Sequence, residues 1–376
     1  MNLMKIAEVL EKEPIFRLKQ VKKAVFQDLI ENWGEANNLP KNLRQKLAEN
    51  CPIHDLKAKE ILYSKDNQTI KTLFELKDYN PPTTLPFASR KGPCLKIESV
   101  LMRHIDGRRT VCVSSQVGCS IGCRFCATGQ RGFKRNLSSS EIIDQVLFFA
   151  RLLKKTKEKI GDEVYPLQGL PSSSPFAVAR VTNVVFMGMG EPFLNYDNVL
   201  EAIKILNDKE GFNLGVRHIS ISTVGITEGI EKLAKEKLQV NLAISLHASN
   251  NALRTKLVPI NKVYPIEKIL TAVGKYIKKT KRRVMFEYLM IDKANDSERQ
   301  AEELAQVLKK SLKGAPYFVN LISYNPIGHS KFKPSPGWKI KKFKEILEKS
   351  RIATTQRYRF GKEIKAACGQ LAGRGR

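Results

Sequence analysis

The chain has 376 residues, of which 65 are Lys or Arg and 37 are Asp or Glu, so its formal net charge is +28. No apolar run approaches the roughly eighteen residues of a membrane helix, and charges interrupt the apolar N-terminal stretch, so we expect neither a membrane span nor a secretory signal. We expect a cytoplasmic protein whose charge suits a nucleic-acid partner, with a generally basic solvated surface as the alternative.

Residues 1–90 are predicted to form a small helical domain. Apolar side chains recur there at helical spacing, as in Val21, Val25, Leu29 and Trp33. The Pro-rich stretch YNPPTTLPFASRKGP that follows is typical of a linker.

The region 91–350 alternates between strand-like and helix-like segments. The predicted strands are 110–114, 181–187, 218–223, 240–246, 284–290 and 318–324. The predicted helices are one that begins after a capping box at Ser138 and others at 196–209, 227–237, 265–280, 296–312 and 338–349. This order predicts an α/β fold with a parallel sheet, and six units rather than eight indicate an open, partial (βα)6 barrel. Residues 161–179 are predicted to be a surface insertion, and residues 351–376 a C-terminal tail.

Three cysteines in one short segment, GCSIGCRFCATG, are the most specific motif. Cys119, Cys123 and Cys126 have the spacing C-x3-C-x2-C, which can hold three corners of a [4Fe-4S] cluster and leave one iron open for a small molecule such as S-adenosylmethionine (SAM). A zinc site is the alternative, but it needs a fourth ligand and usually has paired C-x2-C units, of which only one is present. Seven cysteines in a chain without an export signal also favour metal or catalytic thiols over disulfides.

Polar residues and glycines follow several predicted strands. Active-site residues in a parallel (βα) architecture lie at the C-terminal ends of the strands, so these residues are predicted to share one rim. They are Gly190, Glu191, Ser222, Ser245, Leu246, His247 and Asn325. Taken singly, a serine at a strand end is more often a cap and a lone histidine more often structural.

Two further cysteines lie outside the motif. Cys112 is in the first predicted strand of the barrel, and Cys368 precedes a Gly-rich C-terminus. Each alone is most simply a buried thiol. Cys368 differs because Lys362 and Lys365 lie close in sequence, and basic neighbours favour a reactive thiolate.

These motifs together resemble the RlmN/Cfr family of radical SAM RNA methyltransferases. The resemblance rests on CVSSQVGCSIGCRFCATG, FMGMGEP, SLHASNNALRTKLVPINK, FEYLMIDKANDS, NLISYNP and AACGQL, which occur in the family's order over nearly the whole chain. It implies a radical SAM barrel, a [4Fe-4S] cluster on the three cysteines, and SAM contacts at the strand-end residues named above. It further implies that Cys368 carries the methyl group, that Cys112 is its resolving partner and that Glu98 accepts a proton.

The activity that the resemblance implies is methylation of C2 of an adenine in 23S rRNA and, in some members, of a tRNA adenine beside the anticodon. It also implies an RNA-binding role for residues 1–90 and an electron donor such as flavodoxin. Three other functions stay open from the sequence. These are Cfr-type methylation at C8 of the same adenine, a non-catalytic zinc-dependent RNA-binding protein, and a radical SAM enzyme that acts on proteins or small molecules.

Overall fold

The computed structural model of the protein describes residues 3–77, 95–160, 180–328, 330–358 and 360–373. The predicted linker and the predicted insertion at 161–179 lie outside the described residues. Within the described ranges, no helix combines the length and apolar character needed to cross a membrane.

The N-terminal region is part helix and part sheet. Helices α1 (Leu3–Val9), α2 (Phe16–Lys22) and α3 (Lys41–Asn50) are followed by strands β1 (Leu56–Tyr63) and β2 (Thr69–Leu76). The prediction of a helical domain over residues 1–90 is therefore wrong for residues 56–76. The physical reason is long-range pairing, because β2 pairs antiparallel with a strand that begins at Lys96 and so joins the main sheet.

Among the described residues, ten strands form one open sheet, and two more form a separate hairpin. The strands after β2 are β3 (Lys96–Arg103), β4 (Arg109–Cys112), β5 (Gln116–Gly118), β6 (Phe133–Asn136), β7 (Asn183–Phe186), β8 (Ile219–Thr223), β9 (Asn241–Ser245), β10 (Val284–Met290), β11 (Tyr317–Ser323) and β12 (Thr354–Gln356). The sheet order is β1-β2-β3-β4-β7-β8-β9-β10-β11-β12, and all neighbours from β4 to β12 are parallel.

Helices connect the parallel strands, as the alternating pattern predicts. They are α4 (Ser139–Ile160), α5 (Tyr196–Asn207), α6 (Thr227–Leu233), α7 (Asn251–Leu257), α8 (Ile266–Thr280), α9 (Glu298–Ser311) and α10 (Gly337–Lys349). Each long helix buries one apolar side, as Ile269, Val273 and Tyr276 of α8 illustrate. The partial (βα)6 barrel is thus confirmed. It gains a seventh parallel strand, since β12 pairs with β11, so the boundary predicted at residue 350 does not separate the tail from the sheet.

The cysteine-bearing segment is the loop of the β5–β6 hairpin. Gly118, at the end of β5, has a φ of +75°, and a Cβ atom there would lie 1.8 Å from the carbonyl oxygen of Gly132. The two ends of the loop are joined by a hydrogen bond of 3.1 Å from the Cys119 N–H to that same oxygen. The absence of a side chain at Gly118 is therefore what lets the hairpin close around the three cysteines.

We predict that Gly118→Ala destabilises the protein by about 3 kcal/mol or more, because the backbone must move as well as adopt a left-handed conformation. Gly122→Ala is the matched control, since Gly122 has a similar φ of +70° but no atom within 4 Å of the added Cβ. Gly122→Ala should lower the free energy of unfolding by only about 1 kcal/mol, which is the cost of a left-handed conformation for a residue with a side chain. Urea unfolding monitored by circular dichroism measures both, and equal losses would show that the close contact is unimportant.

Candidate active site

Two adjoining cavities lie at the C-terminal edge of the parallel strands. The larger encloses about 940 Å³, part of it open to solvent, which is in the range of pockets for cofactor-sized ligands. Its lining includes Cys119, Cys123, Cys126, Gly188, Gly190, Glu191, Ser222, Ser245, His247, Glu287, Arg357 and Cys368. The smaller is lined by Cys112, Met187, Asn325, Arg357, Tyr358, Phe360 and Cys368, among others. Cys368 and Arg357 belong to both, so the two cavities meet there.

The three motif cysteines line one side of the larger cavity. Burial, with a smaller contribution from neighbouring negative groups, raises the pKa of the Cys119 thiol to about 12 and that of Cys123 well above its ordinary value. These thiols therefore stay protonated at neutral pH unless a cation replaces the protons. An iron-sulfur cluster supplies that cation, because it binds cysteine as the thiolate.

The donor set of the loop is three cysteines of one short segment, all on the wall of the larger cavity. Cysteine sulfur is the ligand of four-iron clusters, in which each cysteine binds a different iron. In the described part of the chain, no group of three or more His, Cys, Asp or Glu side chains is arranged to hold a single metal ion. Gly129 supports the loop from behind, since a Cβ atom there would lie 3.0 Å from the backbone nitrogen of Cys123.

A buried arginine stands behind the cysteine loop. Arg254 is fully buried, and the acceptors of its hydrogen bonds among the described residues are all neutral. These acceptors are the carbonyl oxygens of Leu246, Tyr264, Val224 and Ser245 and the side chain of Asn261. Burial lowers the pKa of its guanidinium to about 10, and the Cys123 thiolate acts in the opposite direction. A four-iron cluster held by three thiolates is anionic, so it would compensate this buried positive charge.

Gly190 and Glu191 follow β7 and form the next part of the wall. Gly190 has a φ of +102°, and a Cβ atom there would lie 2.6 Å from the side chain of Gln116. The Glu191 carboxylate accepts hydrogen bonds from the N–H groups of Val224, at 2.9 Å, and Phe193, at 3.1 Å. Burial nevertheless raises its pKa to about 7. A cationic ligand in the cavity would stabilise the ionised form of this carboxylate.

A hydrogen-bonded trio of side chains spans the ends of β8, β9 and β10. The Ser222 hydroxyl donates to Glu287 Oε2 at 2.8 Å and lies 3.1 Å from the Ser245 hydroxyl. The sequence analysis named both serines but missed Glu287. A signal was available, because a carboxylate in the otherwise apolar strand VMFEYLM is unusual.

His247 lines the larger cavity, whereas Leu246 does not and makes its contacts nearby through its backbone. The Leu289 N–H donates to Nδ1 of His247 at 3.1 Å, which leaves the proton of the neutral ring on Nε2. Burial, aided by Arg254, lowers the pKa of His247 to about 3, so the ring is neutral. Leu246 is buried and is not among the lining residues; its N–H donates to the Glu287 carbonyl at 3.1 Å.

Cys112 and Cys368 share the smaller cavity with Arg357. Burial, with a smaller contribution from Cys368, raises the pKa of Cys112 to about 12. Negative charge on Cys368, Glu287 and Cys112 raises the pKa of Arg357, and Cys368 has the largest effect. Its Nη1 lies 3.4 Å from Glu287 Oε1. Arg357 was missed by the sequence analysis, since one more arginine in a basic tail carries no distinguishing signal.

The C-terminal segment is fastened to the cysteine loop by two hydrogen bonds. The Ala127 N–H donates to the Gly369 carbonyl at 2.8 Å, and the Thr128 hydroxyl donates to the Leu371 carbonyl at 2.6 Å. Gly369 has a φ of +82°, which suits glycine. These bonds hold Cys368 between the two cavities.

Neither Glu98 nor Asn325 lines the larger cavity. Glu98 lines neither cavity. Its Oε2 accepts from the N–H groups of Ala372 and Gly373, at 2.5 and 2.9 Å, and Oε1 lies 2.9 Å from Lys71 Nζ. Asn325 faces the smaller cavity, and its amide donates to the Cys368 carbonyl at 3.4 Å.

Comparisons with known proteins agree with this geometry. The family model described as the radical SAM superfamily matches residues 176–305. The chain is 38% identical to a crystal structure of a radical SAM methyltransferase from Sphaerobacter thermophilus, with a TM-score of 0.86 and coverage of 100% of this chain and 98% of that one.

Curated relatives place the chain more closely. It is 41% identical to a probable dual-specificity RNA methyltransferase RlmN of Chloroflexus aurantiacus, over 99% of this chain and 92% of the relative. It is 44% identical to the protein of the same description from Dictyoglomus turgidum, over 96% and 91%. The chain therefore belongs to the RlmN family of dual-specificity RNA methyltransferases, within the radical SAM superfamily.

Proposed function

We propose that the protein methylates C2 of an adenine in 23S rRNA, and that a tRNA adenine beside the anticodon is its second substrate. The observation that carries the proposal is that Cys368 lines both cavities, with the three motif cysteines on one side and Cys112 on the other. The RNA methyltransferase name of the relatives and the net charge of +28 support an RNA substrate.

The larger cavity has groups for both cofactors. Cys119, Cys123 and Cys126 would hold a [4Fe-4S] cluster, while the Glu191 carboxylate would bind the amino group of SAM and Ser222 its polar groups. When bound, the cluster and SAM together supply a 5'-deoxyadenosyl radical. An electron donor such as flavodoxin would provide the electron.

Cys368 would carry the methyl group because the C2 of adenine is too electron-poor to attack SAM directly. Its sulfur forms a bond to the methyl carbon as the bond from that carbon to the SAM sulfonium breaks. Arg357 lines both cavities together with Cys368, so its guanidinium would lie near the sulfur that makes this attack. Removal of a hydrogen atom from the thiomethyl group then gives the carbon radical that adds to C2.

Cys112 would release the product. The C2 proton would leave to a base and the Cys112 thiol would lose its proton. The bond between the Cys368 sulfur and the new carbon would break, that carbon would take up a proton to become the methyl group, and the two sulfurs would join as a disulfide. Forming this disulfide gives back one electron, which equals the one consumed earlier, and an external thiol must then reduce it. The base that the resemblance implies is Glu98, so Ala372 and Gly373 must move away from Oε2 before Glu98 can accept the proton.

We predict that the anaerobically prepared protein, given SAM, a reductant and fragments of 23S rRNA or tRNA, forms 2-methyladenosine. Cys368→Ala should form none, while its iron content and visible absorbance stay at the wild-type level. Nucleoside mass spectrometry measures the product. A product of 8-methyladenosine would contradict the position, and product from Cys368→Ala would contradict the thiol relay.

We predict that Cys112→Ala accumulates a covalent complex between protein and RNA, because the second sulfur that would displace the RNA carbon from Cys368 is then missing. Denaturing gel electrophoresis of labelled RNA measures it, and nuclease digestion should leave a modified nucleotide on the Cys368 peptide. Cys51→Ala is a control, since Cys51 is a buried thiol outside both cavities. Unlinked RNA with Cys112→Ala would rule out the resolving role.

We predict that Glu191→Gln weakens SAM binding at pH 8 by about tenfold or more, the usual effect of losing a hydrogen bond to a charged group. The pKa of Glu191 is raised to about 7, so the carboxylate that binds the ammonium group forms as the pH rises from 6 to 8. Wild-type affinity should therefore increase over this range, whereas that of the variant should not. Isothermal titration of the reconstituted protein measures both, and identical pH profiles would contradict this role.

A further inference from the structure

Three aromatic rings stand in contact at the rim of the smaller cavity. The Tyr358 and Phe360 ring centroids are 4.9 Å apart, and those of Phe360 and His104 are 4.7 Å apart, both in edge-to-face arrangements. His104 is held in place by a contact of 3.1 Å between Nε2 and the Thr110 hydroxyl. The inner two rings are thus supported by the protein, while Tyr358, at the outer end, is 65% exposed.

This row of aromatic rings lies beside the two cysteines outside the metal-binding motif. Tyr358 and Phe360 line the same cavity as Cys112 and Cys368, the two thiols assigned to the methyl relay. A base that reaches Cys368 must leave its helical stack, and its neighbours in the strand then lose a stacking partner. A neighbouring base that has lost its stacking partner would be placed to stack on an exposed ring at the rim of the cavity.

The surroundings of the row are basic. Arg103 and Arg109 face each other across β3 and β4, and Arg103 together with burial lowers the pKa of Arg109. Burial lowers the pKa of His104, and both Arg108 and Arg357 act in the same direction. Two acidic side chains lie among these groups, since Arg108 is paired with Asp106 at 2.7 Å and Arg357 Nη1 lies 3.4 Å from Glu287 Oε1. The local charge is therefore positive and complements a phosphate backbone.

We propose that Tyr358, supported by Phe360 and His104, is a stacking site for an unpaired RNA base next to the target adenine. Aromatic side chains inside a basic groove bind single-stranded RNA because every base offers a flat face for stacking, whereas phosphates pair with the arginines. An apolar protein partner would not account for the guanidinium groups of Arg108 and Arg357, which both act on His104 at the inner end of the row. This inference rests on the proposed function, since it assigns a subsite for the same RNA.

The test is RNA binding by the cluster-loaded protein without SAM, so that no turnover occurs. The probe is an RNA hairpin that contains the target adenine and has 2-aminopurine at the neighbouring base. Tyr358→Ala should weaken binding by about 5- to 150-fold, which is the range for loss of one stacked base, and should remove most of the 2-aminopurine quenching. Tyr358→Phe and Tyr358→Trp should keep both, because each retains a ring.

The matched control is Trp338→Ala, which removes an equally exposed aromatic side chain, at 67%, from α10. Its affinity and quenching should match the wild type. The slope of log Kd against log salt should be unchanged in Tyr358→Ala, since the ring neutralises no phosphate. The proposal is overturned if Tyr358→Ala binds and quenches within twofold of the wild type, or if Tyr358→Phe loses as much as Tyr358→Ala.

A separate measurement distinguishes this proposal from the proposed function. Wild-type protein incubated with SAM and no RNA should gain a methyl group on Cys368, as seen by peptide mass spectrometry. If it gains none, the thiol relay fails whatever Tyr358 does. If Cys368 is methylated and Tyr358→Ala binds RNA normally, only the stacking site fails.

Discussion

The attachment of the C-terminal segment to the cysteine loop is the interaction on which the rest of the site depends. Two hydrogen bonds, from Ala127 to Gly369 and from the Thr128 hydroxyl to Leu371, join parts of the chain that are distant in sequence. They close the larger cavity, create the boundary with the smaller one and place Cys368 at that boundary. Without them Cys368 would be a thiol on a basic tail, with no access to the groups that give it a role.

The same arrangement determines which charged side chains lie near the cysteine sulfurs. The site places two guanidinium groups beside sulfur, Arg254 near Cys123 and Arg357 between Cys112 and Cys368. A buried cation is costly unless negative charge lies close to it. Each arginine therefore acts against burial, which raises the pKa of Cys123 in one case and of Cys112 in the other. Glu287 links the two cavities, because it binds both Ser222 and Arg357.

The tail is held at its far end too. The Glu98 carboxylate, paired with Lys71, accepts two backbone N–H groups from residues 372–373, so the β2–β3 pair anchors the segment that carries Cys368. This makes Glu98 a structural group in the arrangement observed, and a base only after the tail moves. The N-terminal strands β1 and β2 are thus more than an attachment to the barrel, since one of them supplies the lysine.

The sequence alone determined the features that depend on short spacing. The C-x3-C-x2-C loop, the six strand–helix units and the strand-end residues Gly190, Glu191, Ser222 and Ser245 could be predicted, because the C-terminal ends of parallel strands always meet at one edge. Strands β1 and β2 could not, since KAKEILY has helix-favouring residues and becomes a strand only by pairing with β2, which in turn pairs with β3 and so joins the main sheet. Only the tertiary structure decided that Cys112, Cys368 and Arg357 meet and that Tyr358 stands at their rim. Those contacts depend on the path of the tail, which long-range hydrogen bonds determine and no local pattern encodes.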